Sequence, residues 1–135
     1  MAIDKLNYTD KAEDVIFDLA KDKYGNIKRD TNGKLDVNLT TSKIRNILSM
    51  VSALYNDIQR YKEKELSEEF LSRIQYLKMR IAYEAGRERS VEDFVKKANL
   101  MTEIKKIGTS KDNLILFCNY MEALVAYHKF YTNKD

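Results

Sequence analysis

The chain has no proline, no tryptophan, one cysteine, one histidine and only 4 glycines in 135 residues. An all-β sandwich or barrel needs many tight turns, and the residues that make them are scarce here. Cys118 alone cannot form an internal disulfide, so nothing points to secretion. His128 alone excludes a two-histidine metal site within the chain. Cys118 and His128 stand ten residues apart, about 15 Å along a helix, which is too far for a nucleophilic Cys–His dyad. There is no glycine-rich phosphate loop and no GxSxG elbow. Asp30-Thr31-Asn32-Gly33 lacks the alternating oxygen ligands and the closing glutamate of a calcium loop. No catalytic centre, cofactor or metal is therefore expected. No apolar run approaches the roughly 20 residues of a membrane helix. The longest, Leu114–Val125, is interrupted by Asn119 and Glu122. The start, Met1-Ala2-Ile3-Asp4-Lys5, lacks a basic-then-apolar signal pattern. These absences lead us to expect a cytoplasmic protein that crosses no membrane.

What is present is helical periodicity. At 44% hydrophobic and 33% charged residues, the chain has the makings of one soluble domain; its length allows roughly two-thirds of the unfolded surface to be buried. Apolar positions recur every three to four residues. A first helix follows Thr9 or Asp10, buries Ala12, Val15, Ile16, Leu19 and Ala20, and stops near Tyr24-Gly25. Residues 25–40 form a weak segment in which Asn32-Gly33 permits a small hairpin, although a mobile loop is the expectation. A second helix starts at Thr40, Thr41 or Ser42 and buries Ile44 through Ile58. A third starts at Ser67-Glu68-Glu69-Phe70, buries Ile74, Leu77 and Ile81, and ends near Gly86. A fourth is capped by Ser90 and runs to Gly108, and Ser110 opens the last. The last helix is apolar around much of its circumference, as for a central helix or one that touches another subunit. The fold class expected is all-α, a single-domain compact bundle of about five helices.

A net charge of +3 is too small to demand a polyanionic partner, but it is unevenly spread. Residues 41–89 hold ten basic and seven acidic side chains. Within them Arg73, Tyr76, Arg80, Tyr83 and Arg87 recur at steps of three and four, which places them on one helix face, roughly opposite the Ile74–Ile81 stripe. Glu84 and Glu88 are expected off to one side. At about 1.5 Å per residue the ladder is roughly 21 Å long. Guanidinium forks match phosphate oxygens, and tyrosine adds a stacking surface. The same spacing also describes an ordinary solvated face, and Lys78, on the apolar side, is a snorkelling lysine by default. The residues alone leave both readings open.

Three stretches carry a family resemblance. They are Leu39-Thr40-Thr41-Ser42-Lys43-Ile44-Arg45, then Leu77-Lys78-Met79-Arg80-Ile81-Ala82-Tyr83-Glu84-Ala85-Gly86-Arg87, and Tyr120-Met121-Glu122-Ala123-Leu124-Val125-Ala126-Tyr127-His128-Lys129. Together, over about residues 35–130, they resemble the small subunit of type III-A (Csm-type) CRISPR effector complexes. Met79 stands where that family often has proline. The resemblance implies a helical bundle without catalytic activity, copies of which stack head to tail along the guide RNA–target RNA duplex. The implied partners are the target RNA and that duplex, other copies of the chain, the CRISPR backbone subunits and the large polymerase-type subunit. It raises Lys43, Arg45, Lys78, Arg80 and Arg87 as RNA contacts, with Lys129 a further candidate. Arg73 and Tyr83 join them through the helical-face argument. The competing expectation is a protein-interaction bundle whose basic face binds an acidic partner.

Overall fold

Six α-helices account for most of the chain in the computed structural model, which describes residues 2–134. They are α1 (Tyr8–Leu19), α2 (Arg45–Ile58), α3 (Glu68–Arg87), α4 (Arg89–Lys97), α5 (Leu100–Lys106) and α6 (Lys111–Tyr131). A 3-10 turn over Thr41–Ile44 leads into α2. No strand occurs among the described residues, so the chain is the all-α bundle expected. α1 lies along α6, α2 packs on both α3 and α6, and α4 and α5 close over α3. One continuous core joins these helices, with Ile47, Leu54, Leu77, Ile81, Phe94, Leu114, Phe117 and Leu124 at its centre.

Two helix starts form as their sequences dictate. The hydroxyl of Ser67 accepts from the Phe70 N–H at 3.4 Å, and that of Ser110 from the Asn113 N–H at 3.1 Å. Each satisfies one of the orphan donors of a first turn. Glu68 and Glu69 at the start of α3 and Arg87 at its end complement the helix dipole. Elsewhere local signals mislead. α1 begins earlier than Thr9, with Asn7 in the cap position and the Asp4 carboxylate accepting from the Leu6 and Asn7 N–H groups. It ends at Leu19, a turn before Tyr24-Gly25.

The expected fourth helix is two helices. Asn99 takes the left-handed conformation (φ 59°, ψ 37°) and separates α4 from α5; asparagine enters that region at modest cost. The break leaves the Ala98 carbonyl without a helical partner, and the buried Tyr120 hydroxyl donates to it at 2.8 Å. Ser90 is not the cap: α4 already starts at Arg89, and Glu88 holds the preceding extended position.

Residues 20–40 hold no helix and only isolated bridges, Lys21↔Ile27 and Arg29↔Leu35. Their backbone is nevertheless tied to the bundle. Leu35 N–H donates to the Tyr131 carbonyl and Lys28 N–H to that of Ala20, both at 2.8 Å. Leu35 and Val37 are buried with Ile16 and Ala20 in a second small core, capped by Phe17 and Tyr131. His128 Nε2–H donates to the Leu39 carbonyl at 2.7 Å, which fixes the end of this segment to α6.

Two predictions follow from the buried polar groups of α6. Tyr120→Phe strands the Ala98 carbonyl in the core, so it destabilises the fold by about 1–3 kcal/mol and lowers the melting temperature by about 3–11 °C in a thermal melt. Burial, with the nearby Glu122 charge adding to it, pushes the Cys118 thiol up from 9.0 to about 12. The thiol is thus neutral at pH 8 and nearly buried, so a thiol reagent modifies it far more slowly in the folded chain than in the unfolded one. The raised value means that the folded chain holds this proton longer than the unfolded one. Relative to Cys118→Ala, the wild type therefore loses stability only above about pH 9, and progressively toward pH 12.

Candidate nucleic-acid interface

α2 and α3 run antiparallel. Arg73, early in α3, reaches Asp57 at the end of α2 (2.8 Å), while Lys43, just before α2, meets Glu88 just after α3 (3.6 Å). This pairing gathers the 3-10 turn and the C-terminal half of α3 at one end of the bundle. Lys43, Arg80, Tyr83 and Arg87 share that end, and exposed Arg45 opens α2 two residues beyond Lys43.

The arginine ladder exists but sits differently from expectation. Its arginines advance by seven residues, which rotates them slowly around α3. They occupy the shoulder of the helix on which Arg73 meets Asp57 of α2, while Tyr76 and Tyr83 lie nearer the outward crest and are exposed like Met79. Only 23% of the Arg80 side chain and 30% of that of Arg73 are exposed, against 55% for Arg87. Nor does Glu84 stand off to one side. Its side chain is 4% exposed and lies between two rungs, with Oε2 2.8 Å from Arg80 Nη2 and Oε1 3.8 Å from Arg87 Nη1. Every guanidinium of the ladder thus has a carboxylate neighbour, Asp57 for Arg73 and Glu84 for the other two. The Tyr83 ring, half exposed, lies 4.9 Å from the Arg80 guanidinium carbon and 5.7 Å from that of Arg87, within cation–π range of both.

The remaining candidates lie apart. Arg73 is two turns along the same shoulder, where Asp57 also binds Arg60. Lys78 is on the other shoulder of α3, beside Lys105, where the two line a shallow depression with Ser72 and Gln75. Lys129 is exposed on the last turn of α6, next to Phe130, whose carbonyl accepts from Lys34. The structure therefore brings together Lys43, Arg80, Tyr83 and Arg87 and separates Arg73, Lys78 and Lys129 from them, while Arg45, close in sequence, lines an open depression on α2 with Ser49, Ser52 and Asn56.

Three carboxylates shape the site against expectation: Glu84 and Glu88, which the sequence reading set to one side, and Asp57, to which it gave no role. Glu84 was detectable, since it follows Arg80 by four and precedes Arg87 by three, the spacings at which helical side chains meet. Asp57 and Glu88 act across helices and leave no local signal. Among the described residues no cluster of three or more histidine, cysteine or carboxylate side chains is arranged to hold a metal ion. No helix among the described residues is long and apolar enough to cross a membrane.

Comparison with known proteins matches residues 22–134 to the family model "Csm2 Type III-A". A Streptococcus thermophilus protein, "CRISPR system Cms protein Csm2", is 43% identical over 129 residues, covering 96% of this chain and 94% of that protein. Proteins of the same name from Mycobacterium tuberculosis (strain CDC 1551 / Oshkosh) and Enterococcus italicus are 40% identical over 97 residues and 38% over 114. These cover 72% and 79% of this chain, and 78% and 81% of the respective relatives. With more than half of its length matched and an all-helical bundle in place, the chain belongs to the Csm2 family, the small subunit of type III-A CRISPR complexes.

Proposed function

We propose that the chain is a non-catalytic, RNA-binding structural subunit, copies of which stack along the guide RNA–target RNA duplex in the cytoplasm. Its partners on this reading are the target strand, its own copies, the backbone subunits and the large polymerase-type subunit. The observation that carries the reading is the cluster at the C-terminal end of α3. Arg87 is more than half exposed and Lys43 lies beside that helix end, with Tyr83 offering half its ring to solvent. Cations of this kind position a ribose-phosphate chain and read no sequence. That division of labour suits an assembly in which base pairing with the guide supplies specificity.

The ladder's members take different roles. Arg87, with a loose 3.8 Å contact and an exposed guanidinium, is the phosphate ligand. Arg80 and Arg73 are committed to short carboxylate pairs and hold the shoulder in shape. Lys43, Arg45 and Lys129 add phosphate contacts, and Lys78 contributes from the opposite shoulder. A modest net charge makes the affinity of one copy low, and stacking raises it by multivalency.

A second reading has one observation in its favour. The ladder already accepts carboxylates from Asp57 and Glu84, so an acidic protein segment could occupy the same face.

Fluorescence anisotropy of labelled RNA over a salt series separates the two. The RNA reading expects sequence-independent binding whose logarithm falls linearly with log salt. Arg87→Ala and Lys43→Ala each reduce the magnitude of that slope by about 0.7–1, and slopes identical to wild type would refute these contacts. Arg80→Ala acts on the fold instead. It strands the buried Glu84 carboxylate, at about 1–3 kcal/mol, and so lowers the melting temperature more than Arg87→Ala does. Cleavage of RNA by the purified chain in the presence of a divalent metal would overturn the non-catalytic assignment.

A further inference from the structure

A carboxylate is the last group expected next to a phosphate site, because its charge repels the ligand. Glu84 nevertheless stands in the middle of the cluster, 4% exposed, and its two oxygens face two different guanidiniums. Burying a carboxylate is costly unless cations and hydrogen bonds satisfy it. Here the satisfaction is unequal, at 2.8 Å to Arg80 and 3.8 Å to Arg87. The tight contact uses Arg80. The loose one restricts Arg87 while leaving most of its five N–H donors open to a ligand. Tyr83 completes the restraint, since both guanidiniums lie within cation–π range of its ring. A free arginine loses much rotamer freedom when it grips a phosphate, and one already held loses less.

We propose that Glu84 is a positioning residue whose buried carboxylate holds Arg80 and Arg87 against Tyr83, so that the Arg87 guanidinium meets a phosphate of a single RNA strand already ordered. The inference rests on the RNA-binding reading above and adds a sign to it. Simple charge counting says that neutralising Glu84 strengthens RNA binding, because a repulsive charge is removed. Positioning says the opposite, because Glu84→Gln keeps the size of the side chain and releases Arg87.

The experiment measures binding of the full chain to a labelled oligouridylate by anisotropy at low salt, alongside a thermal melt of each variant. Glu84→Gln is expected to bind about threefold to tenfold more weakly than wild type. Added to Arg87→Ala, the same change is expected to alter affinity by less than about twofold, since the residue it positions is gone. Tighter or unchanged binding by Glu84→Gln overturns the proposal, as does an equal loss with and without Arg87. Binding by Arg87→Ala equal to that of wild type also overturns the proposal, whereas a wild-type chain that binds the oligouridylate at no salt concentration is a different result, and it overturns the RNA reading itself. Side-chain relaxation of the Arg87 Nε–H group in the wild-type chain decides the matter independently of how the variant folds. Order close to that of the backbone supports positioning, and the fast motion of a free arginine refutes it.

Discussion

The burial of α6 on most of its circumference is the constraint from which the remaining structure follows. Leu114, Phe117, Met121 and Leu124 face the main core, and Cys118, Tyr120, Ala123 and His128 are buried as well. A helix covered in this way must be surrounded, and α1, α2 and α5 supply the walls. Its buried polar groups then dictate details far from it in sequence. The Tyr120 hydroxyl needs an acceptor and finds the carbonyl exposed where α4 ends. The His128 imidazole donates to Leu39, which anchors the chain just before the 3-10 turn that carries Lys43. The core helix therefore sets the geometry of the basic end of the molecule without contributing a side chain to it.

The electrostatics of α3 illustrate how charge is managed on a bundle of nearly balanced composition. A row of guanidiniums with no counter-charges would repel itself and would bind any anion. Here Asp57, Glu84 and Glu88 each take part of the positive charge. What is left is graded by exposure, least at Arg80 and greatest at Arg87. The grading separates cations that maintain the shoulder from one that is offered to a ligand, a distinction invisible in a count of basic residues.

Features set by neighbours in sequence were legible before the structure. The apolar period marked the helices, and Ser67 and Ser110 marked two of their starts, because capping is a contact over three residues. The Arg80–Glu84–Arg87 spacing was equally local and was misjudged, because the ladder was drawn opposite the apolar stripe although Arg73 and Arg80 directly precede the buried Ile74 and Ile81, about 100° around the helix. Features set by distant partners were not legible. Asparagine at position 99 was a local signal passed over, since it takes the left-handed conformation more readily than other side-chain-bearing residues; the hydroxyl from α6 that takes the freed Ala98 carbonyl was the part out of reach. The burial of Leu35 and Val37 depends on α1 and the end of α6, so a polar stretch with few apolar residues gave no hint of a second core. The pairing of Arg73 with Asp57 depends on the antiparallel packing of two helices.

The pairing of the first helix with the last has a consequence for synthesis. α1 packs along α6, and the strap after α1 hangs on the Tyr131 carbonyl, so the first helix of the bundle has its main partner in the last. As the chain is made, α2 to α5 can pack on one another and α1 can reach α4, but the larger wall of α1 is missing until α6 has been synthesised. The small core around Ile16 and Ala20 lacks Tyr127 and Tyr131 until then. The bundle therefore stays incomplete along α1 until α6 docks, a late and long-range step.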